Sequence, residues 1–400
     1  MLQPATSQEI SSHNNFSEKA TVFLHLDFLD GLRALAAIYV MLHHARLTVF
    51  YSDRQPDRSE GLLIGWLGYG HFAVDLFIVL SGFCLMIPVV RENGVLAGGI
   101  TSFFKKRARR ILPTYYAALV ISVVFATTIL SHKIGTIWDL SLPVTKMGIV
   151  AHLLLLQNIH RSMEINSVFW SIAVECQIYL LFPLIVMAWR AIGWQKTAVA
   201  TIVISLTASI LLQHTRLQGL TAHYLALFMF GMLGSTLSFS SMPVVSHYRK
   251  SIPWKGVSFT LFVLLVIICS FFPGWVSQYM ISIDLLVGLC ATTFIVAMSC
   301  DTENLPYHVL RWNPLVFIGT FSYSLYLLHM PLLQVLWQFV LVPLHISNME
   351  KLLLLCLCGG PLVISVSYLF FLAFERPFIS KSRVSTSADL ATSVALSPAP

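Results

Sequence analysis

The sequence predicts an all-α fold: a polytopic bundle of about ten transmembrane helices embedded in a lipid bilayer. Composition is the first reason. Of 400 residues, 56% are hydrophobic and only 11% charged, and mean hydropathy is +0.77. Soluble domains carry about a quarter charged residues, so this chain falls outside that class. Apolar runs of about twenty residues, the length that crosses a bilayer, are the second reason, because they recur along nearly the whole chain. The third is where the basic residues lie, since Lys and Arg gather in alternate connections.

Taken in order, residues 1–28 are polar and lack the charged-then-apolar plan of a cleaved signal, which makes them a polar cytoplasmic segment. Apolar spans are expected at about 30–50, 66–90, 111–130, 168–189, 197–212, 221–240, 257–272, 279–299, 315–341 and 352–374, within one membrane domain of residues 29–379. The run at 147–158 is too short for a crossing and reads as interfacial or re-entrant. If it does not cross, FFKKRARR at 103–110, Arg190, Lys196, Arg249, Lys250, Lys255, Arg311, Arg376, Lys381 and Arg383 all fall on the side of both termini. The positive-inside rule makes that side cytoplasmic. Residues 380–400 are rich in Ser, Thr and Ala and are expected to be a disordered cytoplasmic tail. The net charge of +7 then reports topology and requires no nucleic acid. The seven cysteines lack metal-ligand spacing and read as small hydrophobic residues; no metal is expected.

Ionisable residues within the spans ask for a reason, because each costs a few kcal/mol in hydrocarbon. In DGLRALAAIYVMLHHA, residues 30–45, Arg33 and His44 are separated by ten residues. They therefore share a helical stripe with Ala37 and Val40, and His44 lies about 16 Å deeper than Arg33. His43 points about 100° away and reads as structural. Arg33 has a plain alternative, snorkelling to the interface or pairing with Asp30. Ser171, Glu175 and Tyr179 in FWSIAVECQIYLLFP form one stripe and Ser322, Tyr326 and His329 in GTFSYSLYLLHMP another, and His44, Asp75 in GHFAVDLFIVLSGF, Glu175 and His329 fall at similar middle-to-outer depth. Such convergence is what a buried reaction chamber requires.

These blocks resemble the acyltransferase 3 family of membrane O-acyltransferases, in which an Arg and a His are separated by ten residues. The likeness runs from DGLRALAAIYVMLHHA through HFAVDLFIVLSGF, FFKKRARRILPTYY, FWSIAVECQIYLLFP and GTFSYSLYLLHMP to FERP at 374–377. It departs mildly at Cys176, where many members carry a polar residue. The resemblance implies about ten spans, an acyl-CoA donor from the cytoplasm used as co-substrate, no tightly bound cofactor, and transfer of acetyl or another short acyl group to a hydroxyl of a glycan or glycoside at the plasma (inner) membrane. Some members carry an additional extracytoplasmic esterase-like domain; none is expected in these 400 residues.

Acyl transfer to an alcohol needs a base, and His44 suits the role. Asp75 or Glu175 would fix its tautomer. Ser322, Tyr326 or His329 would donate to the developing oxyanion. Arg107, Arg109 and Arg110, with Lys105 and Lys106, would hold the CoA phosphates, with Arg33 farther along the donor channel. FERP reads as the tie between the last helix and a cytoplasmic loop. A different class of protein, a transporter or proton-coupled carrier, also places His, Asp and Glu inside the membrane; no match between the two halves of the chain supports it.

Overall fold

The computed structural model describes residues 26–52, 54–160 and 162–379. The polar segment 1–25 and the tail 380–400 lie outside the described residues. Regular structure is entirely helical among those described. The helices are α1 (Asp27–Val49), α2 (Arg58–Ile64), α3 (His71–Arg91), α4 (Gly99–Thr127), α5 (Lys146–Leu153), α6 (Gln157–His160), α7 (Trp170–Ile192), α8 (Trp194–Leu212) and α9 (Tyr224–Phe239). They continue with α10 (Pro243–Ser251), α11 (Trp254–Phe271), α12 (Pro273–Gln278), α13 (Met280–Cys300), α14 (Leu305–Leu310), α15 (Asn313–Thr320), α16 (Ser322–Leu336), α17 (Asn348–Leu354) and α18 (Gly360–Phe370). Wider π-helical turns extend α16 over Trp337–Leu341, join α17 to α18 over Leu355–Gly359, and follow α18 over Phe371–Glu375.

Nine helical segments among the described residues are long and apolar enough to cross a membrane. Helix α1 is not one of them. Its 23 residues reach about 35 Å at 1.5 Å per residue, enough to cross, but Asp27, Asp30, Arg33, His43, His44 and Arg46 hold its hydropathy down. At bilayer depth such groups need protein neighbours, and α1 packs against α15, α16 and α3, which leaves all six half-buried. The last helix ends beside the start of α16 and the middle of α4. There Glu375 accepts from Ser324 Oγ at 2.5 Å and Thr114 Oγ1 donates to Phe374 O at 3.0 Å. FERP thus ties the last helix to two neighbours.

Two span boundaries differ from expectation. The basic run 103–110 is not a connection: it forms the first turns of α4, which begins at Gly99 and runs for 29 residues. Lys and Arg are good helix formers, and nothing breaks the run. The expected span 315–341 is broken after Thr320, where Thr320 Oγ1 donates to Phe317 O at 2.7 Å and Ser322 Oγ donates to Gly319 O at 3.0 Å. The two hydroxyls satisfy carbonyls that the end of α15 leaves open. Residues 146–160 form α5 and α6, of 8 and 4 residues, about 12 Å and 6 Å long, so neither crosses.

The core is centred on α3 and α9, the most extensively packed pair. They run parallel at backbone contact. A Cβ on Gly82 would stand 2.1 Å from Phe228 O, and one on Gly231 would stand 2.0 Å from Val79 O. Close approach through small residues is how membrane helices gain dispersion energy without a hydrophobic effect to drive them together. By contrast α11 buries only Ser258 and presents Phe259, Phe262, Leu264 and Phe271 outward, as a lipid-facing helix does.

Candidate active site

Five helices surround a cavity that begins at the end of the bundle carrying the basic run. Arg33 comes from α1, Phe77, Ser81 and Cys84 from α3, Arg107 and Arg110 from α4, Ser171, Glu175 and Tyr179 from α7, and Ser322, Tyr323 and Tyr326 from α16. Its volume is about 130 Å³, room for about four water molecules at about 30 Å³ each. On α3 the lining runs from Leu85 out to Val74, about 16 Å along the helix axis. Positions 74, 77, 78, 81, 84 and 85 form one stripe of that helix.

The mouth is cationic. Arg33 donates to Asp30 Oδ1 at 2.5 Å and sits 2.9 Å from Cys84 Sγ, so the expected i−3 pairing is real and holds the guanidinium at the cavity wall. Arg107 and Arg110 also face inward, whereas Arg109 is exposed with Lys105 and Lys106. Helical geometry accounts for the split, because Arg109 is about 200° round α4 from Arg107. Of the three arginines grouped together on sequence, the cavity receives two.

Glu175 lies midway. It accepts from Ser81 Oγ at 2.8 Å and from Tyr179 OH, and the two hydroxyls are themselves 2.5 Å apart. Arg107 is an electrostatic neighbour of Glu175 and Tyr179. Deeper, Tyr326 OH donates to Val168 O at 3.0 Å and receives the Ser171 hydroxyl at 2.6 Å. Its one proton is engaged. Ser322 has likewise committed its proton to Gly319 O and turns an acceptor oxygen to the cavity.

His329 and His44 stand just beyond this end. The His329 ring lies 5.7 Å from that of Tyr326 and 4.9 Å from that of His44. Carbonyl oxygens only accept, which assigns the tautomers. His329 Nδ1 lies 2.7 Å from Tyr326 O and therefore carries the proton, leaving Nε2 as acceptor. His44 Nδ1 lies 3.0 Å from Val40 O and 3.1 Å from His329 Nε2, so it donates to both. The free lone pair of His44 is thus on Nε2, which has no hydrogen-bond partner among the described residues. His43 donates from Nδ1 to Leu67 O at 2.6 Å and latches the connection before α3.

Neither carboxylate expected beside His44 is hydrogen-bonded to it; His329 holds that position. Asp75 is fully buried, with both carboxyl oxygens unpaired. It lies about 120° round α3 from the cavity stripe and faces Tyr224 and Asp284. Asp284 is in turn held by His223 Nε2 at 3.0 Å and His71 Nε2 at 3.5 Å. A depth argument cannot place Asp75 around the helix. Sequence reasoning did not single out Phe77, Ser81, Cys84 or Tyr323; the 74/77/78/81/84/85 stripe was the available signal. It also did not pair His44 with His329. Among the described residues no group of three or more His, Cys, Asp or Glu is placed to hold a metal ion.

The O-acetyltransferase OatA of Staphylococcus aureus strain NCTC 8325 is 26% identical over 389 residues, covering 89% of this chain and 58% of the relative. A putative O-acetyltransferase of strain COL is 27% identical over 337 residues, covering 75% of this chain and 49% of its own. The chain thus spans little more than half the length of these curated relatives. No solved structure matches. A family model described as an acyltransferase domain matches residues 26–372, nearly the whole of the described bundle, and the chain belongs to that family.

Proposed function

We propose that the protein is a membrane O-acyltransferase that moves an acetyl or other short acyl group from acyl-CoA to a hydroxyl of a carbohydrate or glycoside. The observation that carries the proposal is the cavity itself, cationic at one end through Arg33, Arg107 and Arg110 and adjoining the His44–His329 pair at the other. The basic end faces the cytoplasm of a plasma membrane, with both termini on that side, so the donor enters where acyl-CoA is made.

The donor's phosphates rest on the mouth arginines, and its acyl arm extends past Glu175 toward Tyr326. A hydroxyl approaching from the far end meets His44 Nε2, which takes its proton as the oxygen attacks the thioester carbonyl. The imidazolium so formed is stabilised through Nδ1–H by His329 Nε2 and Val40 O, the part a carboxylate plays in a serine-protease triad. The carbon–sulfur bond breaks, the thiolate leaves and takes the proton from His44, and the products are an ester and free CoA thiol. Because Tyr326, Ser322 and Ser171 have all committed their protons, donation to the oxyanion requires water from the cavity, or one of these hydroxyls to leave its present acceptor.

Purified protein given acetyl-CoA and glycan acceptors should release CoA thiol and form an ester visible by mass spectrometry, and His44→Ala should remove both. The carrier reading makes the opposite forecast: flux of a glycoside across proteoliposomes containing no acyl donor.

A further inference from the structure

The deep half of the cavity is chemically divided. Ser171 and Tyr326 line it with hydroxyls that are hydrogen-bonded to each other, while Val74, Phe77 and Ile78 on α3 line it with carbon alone. The ring of Phe77 meets that of Tyr326 edge to face, with centroids 6.0 Å apart and planes at 72°. Tyr326 then touches His329. Phe77 also packs against both large apolar clusters of the bundle, the second of which holds Ala37, Met41 and Ala45 on the helix that carries His44. Tyr326 therefore joins the cavity to His329, with Phe77 packed edge-on against it inside the cavity.

We propose that Phe77 is the residue that sets acyl length, its ring closing the apolar wall so that a methyl group fits behind the carbonyl and a longer alkyl chain does not. The inference rests on the donor reading above. Its physical basis is the packing of protein interiors. A ring held edge-on by a second ring yields little, and an apolar pocket discriminates about 10- to 200-fold for a single methylene. The polar wall makes the opposite contribution. Its hydroxyls serve the carbonyl oxygen, so the acyl tail is driven to the α3 side, where Phe77 is the largest group.

The test is binding of donor analogues to the purified, full-length chain in detergent. The probes are CoA itself, the methyl ketone S-acetonyl-CoA, and its propyl ketone homologue, thioether analogues that cannot transfer their acyl group. Wild type should bind the methyl ketone about tenfold or more tighter than the homologue. Phe77→Ala should erase or invert that preference, Phe77→Leu should shift it part way, and the affinity for unacylated CoA should stay within about twofold in both, since the arginine mouth is untouched. A flat wild-type series needs no variant to overturn the inference and leaves the donor reading standing if CoA binds. An unchanged preference in a Phe77→Ala protein that still binds CoA also overturns it. Failure of wild type to bind CoA or either analogue would remove the donor reading and this inference with it.

Discussion

At the scale of single residues, His44 and Arg33 lie on one stripe of α1, and the proposed mechanism gives them different work: His44, with its lone pair on Nε2, as base, and Arg33, fixed by Asp30, as charge at the mouth. This separation predicts separable kinetics. His44→Ala should lower kcat about 10²- to 10⁴-fold, the usual contribution of a positioned base, with the KM for acetyl-CoA nearly unchanged. His329→Ala should lower kcat by about 10- to 100-fold, because His44 keeps Val40 O as an acceptor and loses only its second partner, as orienting partners of working histidines typically cost. Equal losses from the two variants would argue that the pair acts as one unit. The arginines give a second forecast, read from the KM for acetyl-CoA. Arg107→Ala removes a charge-assisted bond worth about 1.5–3 kcal/mol, or roughly 10- to 100-fold, whereas Arg109→Ala, on the exposed side of the same helix, should change KM by about twofold at most. Sequence alone grouped these residues, and one turn of helical-wheel arithmetic separates them. It could not show that His329 would occupy the place expected of Asp75 or Glu175, because depth is legible in a chain and lateral neighbours are not.

At the scale of elements, the spans were legible because hydropathy and length are local properties. What was not legible depended on contacts. The basic run 103–110 reads as a loop by charge and is helix by propensity; its amphipathic turns extend α4 past the apolar core. The break between α15 and α16 falls inside an unbroken apolar stretch and is stabilised by two hydroxyl bonds to carbonyls, which hydropathy does not register. The crossing of α3 and α9 is the contact that sets the cavity stripe, and it offers a stability test. Gly82→Ala or Gly231→Ala places a methyl against backbone that has no side chain to move aside, which should cost about 3 kcal/mol, at the upper end of overpacking. The readout is a lower thermal unfolding midpoint in detergent. Gly256→Ala on α11, where an added Cβ meets nothing within 4 Å, should be neutral or slightly stabilising by helix propensity. A midpoint for Gly82→Ala equal to that of Gly256→Ala would mean that α3 and α9 are not at backbone contact.

For the whole molecule, the reaction depends on which way the bundle sits. A donor made in the cytoplasm and an acceptor presented from the other side meet only if the arginine mouth opens inward and the connection carrying α2 faces out. The proposed orientation rests on the charge pattern, since the reverse one would expose 103–110 to the exterior against the positive-inside rule. Single cysteines can test it in a background lacking Cys300 and Cys358, the two native thiols that are exposed. Leu63→Cys, at a site 69% exposed in α2, should react with a membrane-impermeant maleimide added to intact cells. Lys106→Cys, exposed beside the mouth, should react only after permeabilisation. The reverse pattern would put the arginine mouth out of reach of cytosolic acyl-CoA, and the route from donor to His44 would have to be redrawn from the opposite face. In the forecast orientation, the proposed route from Arg33 depth to His44 depth would carry an acyl group about 16 Å toward the exterior, so that transfer and translocation would be one event.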